Sequence, residues 1–300
     1  MTRSVRVTAP ATSANLGPGF DALGLALGLH DVVEVTVSPP GSGPALRISV
    51  EGPGADDLPH DESHLVVRAM RAAFDLLGGQ PAGVELRCRN QIPHGRGLGS
   101  SAAAIVSGVL AARALTDGGP ERMDDDAALN LAARVEGHPD NVAPCQLGGF
   151  TIAWSQGRDA RAVRLEPHPD VRPVVLIPPV AMSTQAARGL LPDAVPHADA
   201  AGNAARAALL VEALTHRPSL LLEATQDRLH QPYRAAAMPD TLALVGELRS
   251  RGLPAVVSGA GPSVLVLTTS ERLAEVTAPD GWATRRLAVD GKGTVVETRS

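Results

Sequence analysis

The stretch PHGRGLGSSAAA, Pro93 to Ala104, sets three glycines at alternate positions, follows them with two serines and runs on into small residues. Gly95, Gly97 and Gly99 free the backbone for conformations closed to other residues and let successive amides approach a ligand. Ser100 and Ser101 then open a helix, whose N-terminus offers unpaired N–H groups and about half a positive charge. Such a loop suits phosphate. It holds no lysine, and the pattern G-x-x-x-x-G-K-S/T occurs nowhere in the chain. Amides and helix dipole can hold a phosphate without one, and Arg96 adds charge within the loop. A plain glycine turn before a helix is one competing reading. A dinucleotide-binding loop is another, but it needs a buried parallel strand directly before it. Here that strand is half polar, Pro93 intervenes, and Ser100 stands at the sixth position.

Outward from the loop, the chain reads as strands mixed with paired helices. Residues 5–9, 32–37, 45–50 and 84–90 read as strands. In the last, Val84, Leu86 and Cys88 alternate with Glu85, Arg87 and Arg89, the mark of an antiparallel sheet with one solvated face. Residues 64–77 put Leu65, Ala69, Ala72, Ala73, Leu76 and Leu77 on one helix face. Residues 100–115 are apolar or small almost all round, which predicts a buried helix. Residues 125–136 predict a helix opening on aspartates, as suits a positive N-terminus. Strands follow in FTIAW, ARAVRLE and RPVVLIPP, then helices near 197–215, 218–229 and 239–251. AVVSGAGPSVLVLT, 255–268, reads as strand, tight loop, strand, before a helix near 271–277 and two more strands. The pattern predicts an α+β protein rather than a regular βαβ alternation. Composition shifts near 158–169, which places a boundary between a first domain, 1–160, and a second, 161–300.

Composition excludes several functions. The 300 residues are 44% hydrophobic and 20% charged, with a net charge of −5, so no basic face for nucleic acid is expected. Aromatics are only 2%, too few for a base-stacking platform. Two cysteines, Cys88 and Cys145, make neither a disulfide framework nor a four-cysteine zinc site, and both read as buried, inert thiols. The first residues lack a signal peptide's apolar core, and the longest nearly apolar run is too short to span a bilayer. The expectation is a cytoplasmic protein with no membrane partner. Of the 27 basic residues only Lys292 is lysine, and its Gly-Lys-Gly setting is a poor place for catalysis.

Three other blocks carry polar residues that chemistry could use. In PATSANLGPGFDALGLAL, 10–27, Asn15 and Asp21 flank a Gly-Pro-Gly turn, where short polar residues also serve structure alone. In EGHPDNVAPCQLGGF, 136–150, Pro139 interrupts the polar run, so the segment is expected to be a loop. His138 and Asp140 lack further histidine or cysteine partners at zinc spacing, and magnesium, which takes few protein oxygens, fits better. VSGAGPSVLVL, 257–267, holds Gly259 in a tight turn between strands.

These four blocks, in this order, closely resemble the motifs of the small-molecule kinases named for galactokinase, homoserine kinase, mevalonate kinase and phosphomevalonate kinase, in their homoserine kinase form. The resemblance spans essentially the whole chain. It implies two α+β domains, the first ribosomal-protein-like and the second ferredoxin-like, with the active site between them. It implies an ATP-dependent kinase acting on the side-chain hydroxyl of L-homoserine in threonine biosynthesis. Relatives are often homodimers, while the sequence itself does not set the oligomeric state.

The same resemblance assigns residues. Pro93, Gly95, Arg96, Gly97, Leu98, Gly99, Ser100, Ser101, Ala102 and Ala103 form the ATP phosphate loop, with Thr184 near the phosphates. Ser101 and Glu136 are the implied Mg²⁺ ligands. Some relatives carry a second carboxylate two residues before the glutamate; here that position is Arg134. Asp21, with Asn15 beside it, would take the amino group of the substrate. Arg188 and Arg234 would clamp its carboxylate, a task that suits arginine's fork. His138, Asp140 and Asn141 would face the substrate and its reacting hydroxyl, and Gly259 would complete the site. Superfamily relatives often use an aspartate–lysine base. With Lys292 the only lysine, no strong general base is expected, and Asn141 is expected to orient the hydroxyl.

Overall fold

A computed structural model describes residues 2–39, 41 and 45–299. The chain runs β1 (Arg3–Asn15), β2 (Gly19–Ser38), β3 (Leu46–Glu51), α1 (Leu65–Leu77), β4 (Gly83–Arg89), α2 (Ser100–Leu115), α3 (Gly119–Arg122), α4 (Asp125–Glu136) and α5 (Pro139–Leu147). It continues β5 (Phe150–Gln156), β6 (Asp159–Leu165), β7 (Val171–Ile177), α6 (Thr184–Arg188), α7 (His197–Thr215), α8 (Leu221–Ala224), α9 (Gln231–Arg234) and α10 (Pro239–Ser250). Strands β8 (Ala255–Val257), β9 (Val264–Thr269), β10 (Ala283–Arg286) and β11 (Val295–Arg299) close it.

The strands form two sheets. In the larger, the order β11-β1-β2-β4-β3 is extended by β5 on β2 and β6 on β5. Strand β2 serves two neighbours because it is 20 residues long: Val32–Ser38 pair with β4 and Leu23–Leu25 with β5. Strands β3 and β4 are parallel and joined through α1, while the other pairs are antiparallel. The smaller sheet has the order β10-β7-β9-β8, all antiparallel. Counted along its own segment that order is 4-1-3-2, the strand order of a ferredoxin-like βαββαβ unit, with a short 3₁₀ stretch, Ser270–Glu275, where its second helix would stand. The expected α+β fold is therefore present, with two divisions of sheet.

The boundary expected at 160 falls inside β6, and the larger sheet continues to Leu165. Nor does the second part run to the C-terminus, because β11 returns to pair with β1, Val296 opposite Val7. The cause is non-local: Val7 is fully buried and its strand edge needs a partner, which no local pattern names.

Helix α2 is the core element. Most of its length is buried, from Ala102 to Ala112 with Ala104 the partial exception, against β1, α1, α4 and α5. Its small side chains let four elements approach it, and they explain why the sequence shows no polar face there. Both Cys88 and Cys145 are free, buried thiols pushed up to about 12, chiefly by burial. Among the described residues no helix is long and apolar enough to cross a membrane.

Candidate active site

Six segments converge on one cavity of about 190 Å³ between the sheets. They are the β1–β2 turn, the glycine loop with the start of α2, the α4–α5 junction, α6, α9, and the turn between β8 and β9. Asn15, Gly95, Gly97, Leu98, Gly99, Ser100, Ser101, Glu136, His138, Asp140, Asn141, Thr184, Arg188, Arg234 and Gly259 all line it. Residues from all four sequence blocks, together with Thr184, Arg188 and Arg234 from outside them, are thus brought to one place.

The glycine loop is held by contacts that require its glycines. Gly97 has φ +69°, and a Cβ there would sit 2.1 Å from the Ser258 carbonyl oxygen. Gly99, also at φ +69°, would meet Thr12 Oγ1 at 1.9 Å. The loop is clamped between β1, where Thr12 N donates to Leu98 O at 3.0 Å, and the β8–β9 turn, where Ser258 Oγ donates to Gly97 O at 2.7 Å. Helix α2 starts from Gly99 with no side-chain cap and no acidic residue in its first turn. Its first amides and its dipole therefore face the cavity uncompensated, an anion site made of backbone.

Not every residue expected in the loop faces that cavity. The Arg96 guanidinium is committed to three carbonyls, of Pro178 (3.1 Å), His94 (3.1 Å) and Pro179 (2.6 Å). It staples the loop to the segment after β7 and does not line the cavity, which corrects its expected phosphate role. Ala102 is fully buried in the core, Ala103 is buried and lines a second cavity, and Pro93 lines a neighbouring open groove.

The α4–α5 junction corrects a second expectation. Residues 139–147 are helical, because Pro139 stands at the first helical position, where its missing N–H would be unsatisfied anyway. Asp140 and Asn141 thus sit in a helical first turn rather than a loop. Asp140 is buried and bonds His138 Nδ1 at 2.6 Å. Burial alone would lower the His138 pKa, but the bond to Asp140, that carboxylate's charge and Glu136 outweigh it, and the pKa is raised. Asn141 Oδ1 accepts from Thr12 Oγ1 at 2.7 Å, which leaves the amide's N–H groups to the cavity.

Ser101 Oγ donates to Glu136 Oε1 at 2.6 Å. Burial raises the Glu136 pKa, against the opposing bond from Ser101 and the nearby His138 charge. A cation beside it would relieve that penalty. One carboxylate and one hydroxyl suit Mg²⁺, which draws its remaining oxygens from phosphate and water. Among the described residues, no group of three or more histidine, cysteine, aspartate or glutamate side chains could hold a metal by themselves.

Opposite the loop lies a charged corner. Asn15, Leu16 and Asp21 have positive φ (68°, 49° and 56°), the sparsely populated region where strain often marks function. Asn15 fixes the turn, its Oδ1 accepting from Asp21 N at 3.0 Å and its Nδ2 donating to Gly259 O at 2.9 Å. Asp21 meets Arg188 end-on, accepting from Nη2 at 2.6 Å and from Nη1 at 3.1 Å. Arg234 is buried; its Nε donates to Ala187 O (3.2 Å) and its Nη1 to His230 Nδ1 (3.0 Å). Burial and then the like charge of Arg188 push the Arg234 pKa down, so this corner favours an anion.

Several residues here were not singled out from sequence. Phe20 lies under both guanidinium groups, 5.6 Å from Arg188 and 5.7 Å from Arg234, and stacks on His230 at 5.2 Å. His230 Nε2 donates to Gly17 O at 2.8 Å, so Nδ1 is the acceptor for Arg234. The four-residue spacing of His230 and Arg234 was a usable helical signal. Thr12 carried none beyond its place in the first motif.

A second cavity, about 230 Å³ and largely apolar, shares Gly95, Ser100 and Ser101 with the first. Val33, Leu65 and Val66 line it, with Asp31, Asn90 and His94. His64 reaches it with both ring nitrogens buried and, among the described residues, without a hydrogen-bond partner.

Known proteins match this architecture throughout. Family models described as GHMP kinases N terminal domain and GHMP kinases C terminal match residues 64–149 and 207–278. A homoserine kinase of Streptomyces avermitilis is 60% identical over 98% of this chain and 95% of its own length. One of Clavibacter michiganensis is 52% identical over 98% of this chain and 94% of its own. The crystal structure of homoserine kinase from Cytophaga hutchinsonii superposes with a TM-score of 0.84 at 29% identity, covering 98% of this chain and 97% of that one. Mevalonate diphosphate decarboxylase from Staphylococcus aureus, at 16% identity and a TM-score of 0.65, shares the fold alone. The chain belongs to the homoserine kinase family of the GHMP kinases.

Proposed function

We propose that this chain transfers the γ-phosphoryl group of ATP to the side-chain hydroxyl of L-homoserine, giving O-phospho-L-homoserine and ADP. The observation that carries this reading is a backbone anion site sharing one cavity with Arg188 and Arg234, with Asp21 bonded to Arg188 at the cavity's edge. A substrate with an ammonium and a carboxylate at one end, and a hydroxyl at the other, satisfies both.

In this reading the nucleotide base occupies the apolar second cavity, and the phosphates follow the shared wall of Gly95, Ser100 and Ser101 to the start of α2. Ser101 and Glu136 would hold Mg²⁺, which when bound neutralises phosphate charge. Phosphoryl transfer passes through a loose transition state, so positioning and charge dominate. Asp21 takes the ammonium; Arg188 and Arg234 take the carboxylate. Asn141, with its carbonyl occupied by Thr12, can donate to the substrate hydroxyl oxygen but cannot accept its proton. His138 and Asp140 are bonded to each other at 2.6 Å, and Lys292 stands in an exposed turn outside the cavity. The hydroxyl proton therefore leaves late, to phosphate oxygen or water. All these groups come from a single chain.

Coupled ADP release tests the assignment, with L-homoserine compared against mevalonate. Mevalonate has a carboxylate but no amine, and would leave Asp21 facing nothing cationic. Turnover with L-homoserine only is expected; equal or better turnover with mevalonate would reject the reading.

A further inference from the structure

The two groups assigned to the two charges of the substrate are bonded to each other. Both oxygens of Asp21 are taken by Arg188, at 2.6 and 3.1 Å. The pair sits over Phe20 at the edge of the cavity, and each side chain keeps about a third of its surface exposed (35% and 37%). Arg234 is different. Its Nε and Nη1 are anchored on Ala187 O and His230, while its Nη2 makes no hydrogen bond among the described residues. One cation is therefore free to receive an anion, and one is masked.

We propose that the amino acid enters by ion-pair exchange: its ammonium displaces Arg188 from Asp21, and its carboxylate receives the released Arg188 together with Arg234. The inference rests on L-homoserine being the substrate. Charge balance drives it. A zwitterion brings one charge of each sign, so both members of the broken pair regain a partner. A carboxylate alone must strip Arg188 away and leave Asp21 unpaired; an amine alone strands Arg188. The internal pair thus acts as a filter for molecules carrying both charges on one carbon, beyond what either contact selects singly. Its partial exposure keeps the pair weak enough to exchange, since ion pairs screened by solvent change an equilibrium by roughly fivefold or less.

This makes a prediction opposite in sign to that of two independent contacts. The probes are 4-hydroxybutyrate, which is homoserine without its amine, and 3-amino-1-propanol, which lacks the carboxylate. Affinities are read by competition against L-homoserine in the wild type, Asp21→Asn and Arg188→Gln. Asparagine tolerates the left-handed backbone of position 21, so Asp21→Asn should fold, and thermal melts check both variants. Asp21→Asn should bind L-homoserine more weakly, yet bind 4-hydroxybutyrate about two- to fivefold more tightly than the wild type, because Arg188 is unmasked. Arg188→Gln should do the same for 3-amino-1-propanol. A wild type that phosphorylates L-homoserine, with variants that bind each analogue no better, keeps the substrate assignment and overturns the exchange. A wild type inert toward L-homoserine overturns both.

Discussion

Thr12 Oγ1 donates to Asn141 Oδ1 at 2.7 Å across 129 positions of sequence, and that bond decides which end of the amide the cavity sees. Thr12→Val keeps the shape and removes the bond. The amide is then free to turn its carbonyl to the substrate, and its grip on the hydroxyl oxygen weakens. The loss of one hydrogen bond, about 1 kcal/mol, predicts a kcat lower by roughly fivefold with the KM for ATP little changed. Thr12→Ser should recover most of it. Steady-state kinetics on the three proteins check this.

Glu136 gives two effects of opposite sign. Its carboxylate is held above its ordinary pKa by burial, so at neutral pH the folded protein bears the cost of a buried charge. Glu136→Gln removes that charge but keeps an oxygen for Ser101. In EDTA the variant should melt higher than the wild type. With ATP, its Mg²⁺ requirement should rise by at least about tenfold, the scale of a lost charged ligand. Melting curves in chelator and Mg²⁺ titrations of the rate separate the two. A variant with unchanged Mg²⁺ dependence would remove Glu136 from the metal site.

Two glycine substitutions should also diverge. Gly97→Ala places a methyl 2.1 Å from a backbone oxygen at φ +69°, a conformation that costs an ordinary residue about 1–2 kcal/mol before any clash. Lower melting temperature and a KM for ATP raised at least about tenfold are expected. Gly202 lies exposed inside α7 with nothing within 4 Å of its missing Cβ. Gly202→Ala should raise stability by about 1 kcal/mol and leave kinetics alone.

Stability should fall on mild acidification. Burial holds His64, His94 and His230 below the ordinary histidine pKa. Unfolding returns each to about 6.5. Between that value and the lowered folded values, the unfolded chain binds more protons, so stability is lost as pH falls through this window. His138 is raised and acts the other way: its contribution is complete below 6.5 and is lost as pH climbs through its folded value. Melting temperatures from pH 7.5 down to 5 should decline below about 6.5, and His64→Leu should flatten the decline. A melting temperature that holds constant in the wild type would contradict this.

What the sequence disclosed was mainly local. Helix α2 was legible because apolar or small residues fill Ser100 to Leu115 with only Arg113 interrupting. Helix α4 was legible because aspartates open it, and the Asp124 side chain does accept from Ala127 N at 2.8 Å. Helix α5 was misread because a proline that starts a helix looks, without context, like one that breaks it. Residues 218–229, expected helical, end their helix at Ala224; Asp227 then caps the amides of Leu229 and Gln231 and turns the chain. The rest was hidden by distance. Nothing near Asp21 names Arg188 as its partner 167 positions away, and nothing near Gly17 names His230. The second cavity joins the glycine motif's Gly95, Ser100 and Ser101 to residues of β2, α1 and β4, and those distant walls carry no motif. Arg96 was misassigned because its charge is visible in sequence, while the carbonyls of Pro178 and Pro179 that use it are not.

The central claim is that one cavity moves a phosphoryl group from ATP to the hydroxyl of a zwitterionic amino acid. Phosphorus NMR on the enzyme with ATP, Mg²⁺ and L-homoserine tests it most directly. A new phosphomonoester signal is expected, growing in step with ADP and coupled to the side-chain methylene protons of homoserine. ADP and inorganic phosphate forming in equal amounts, with no phosphomonoester, would contradict it.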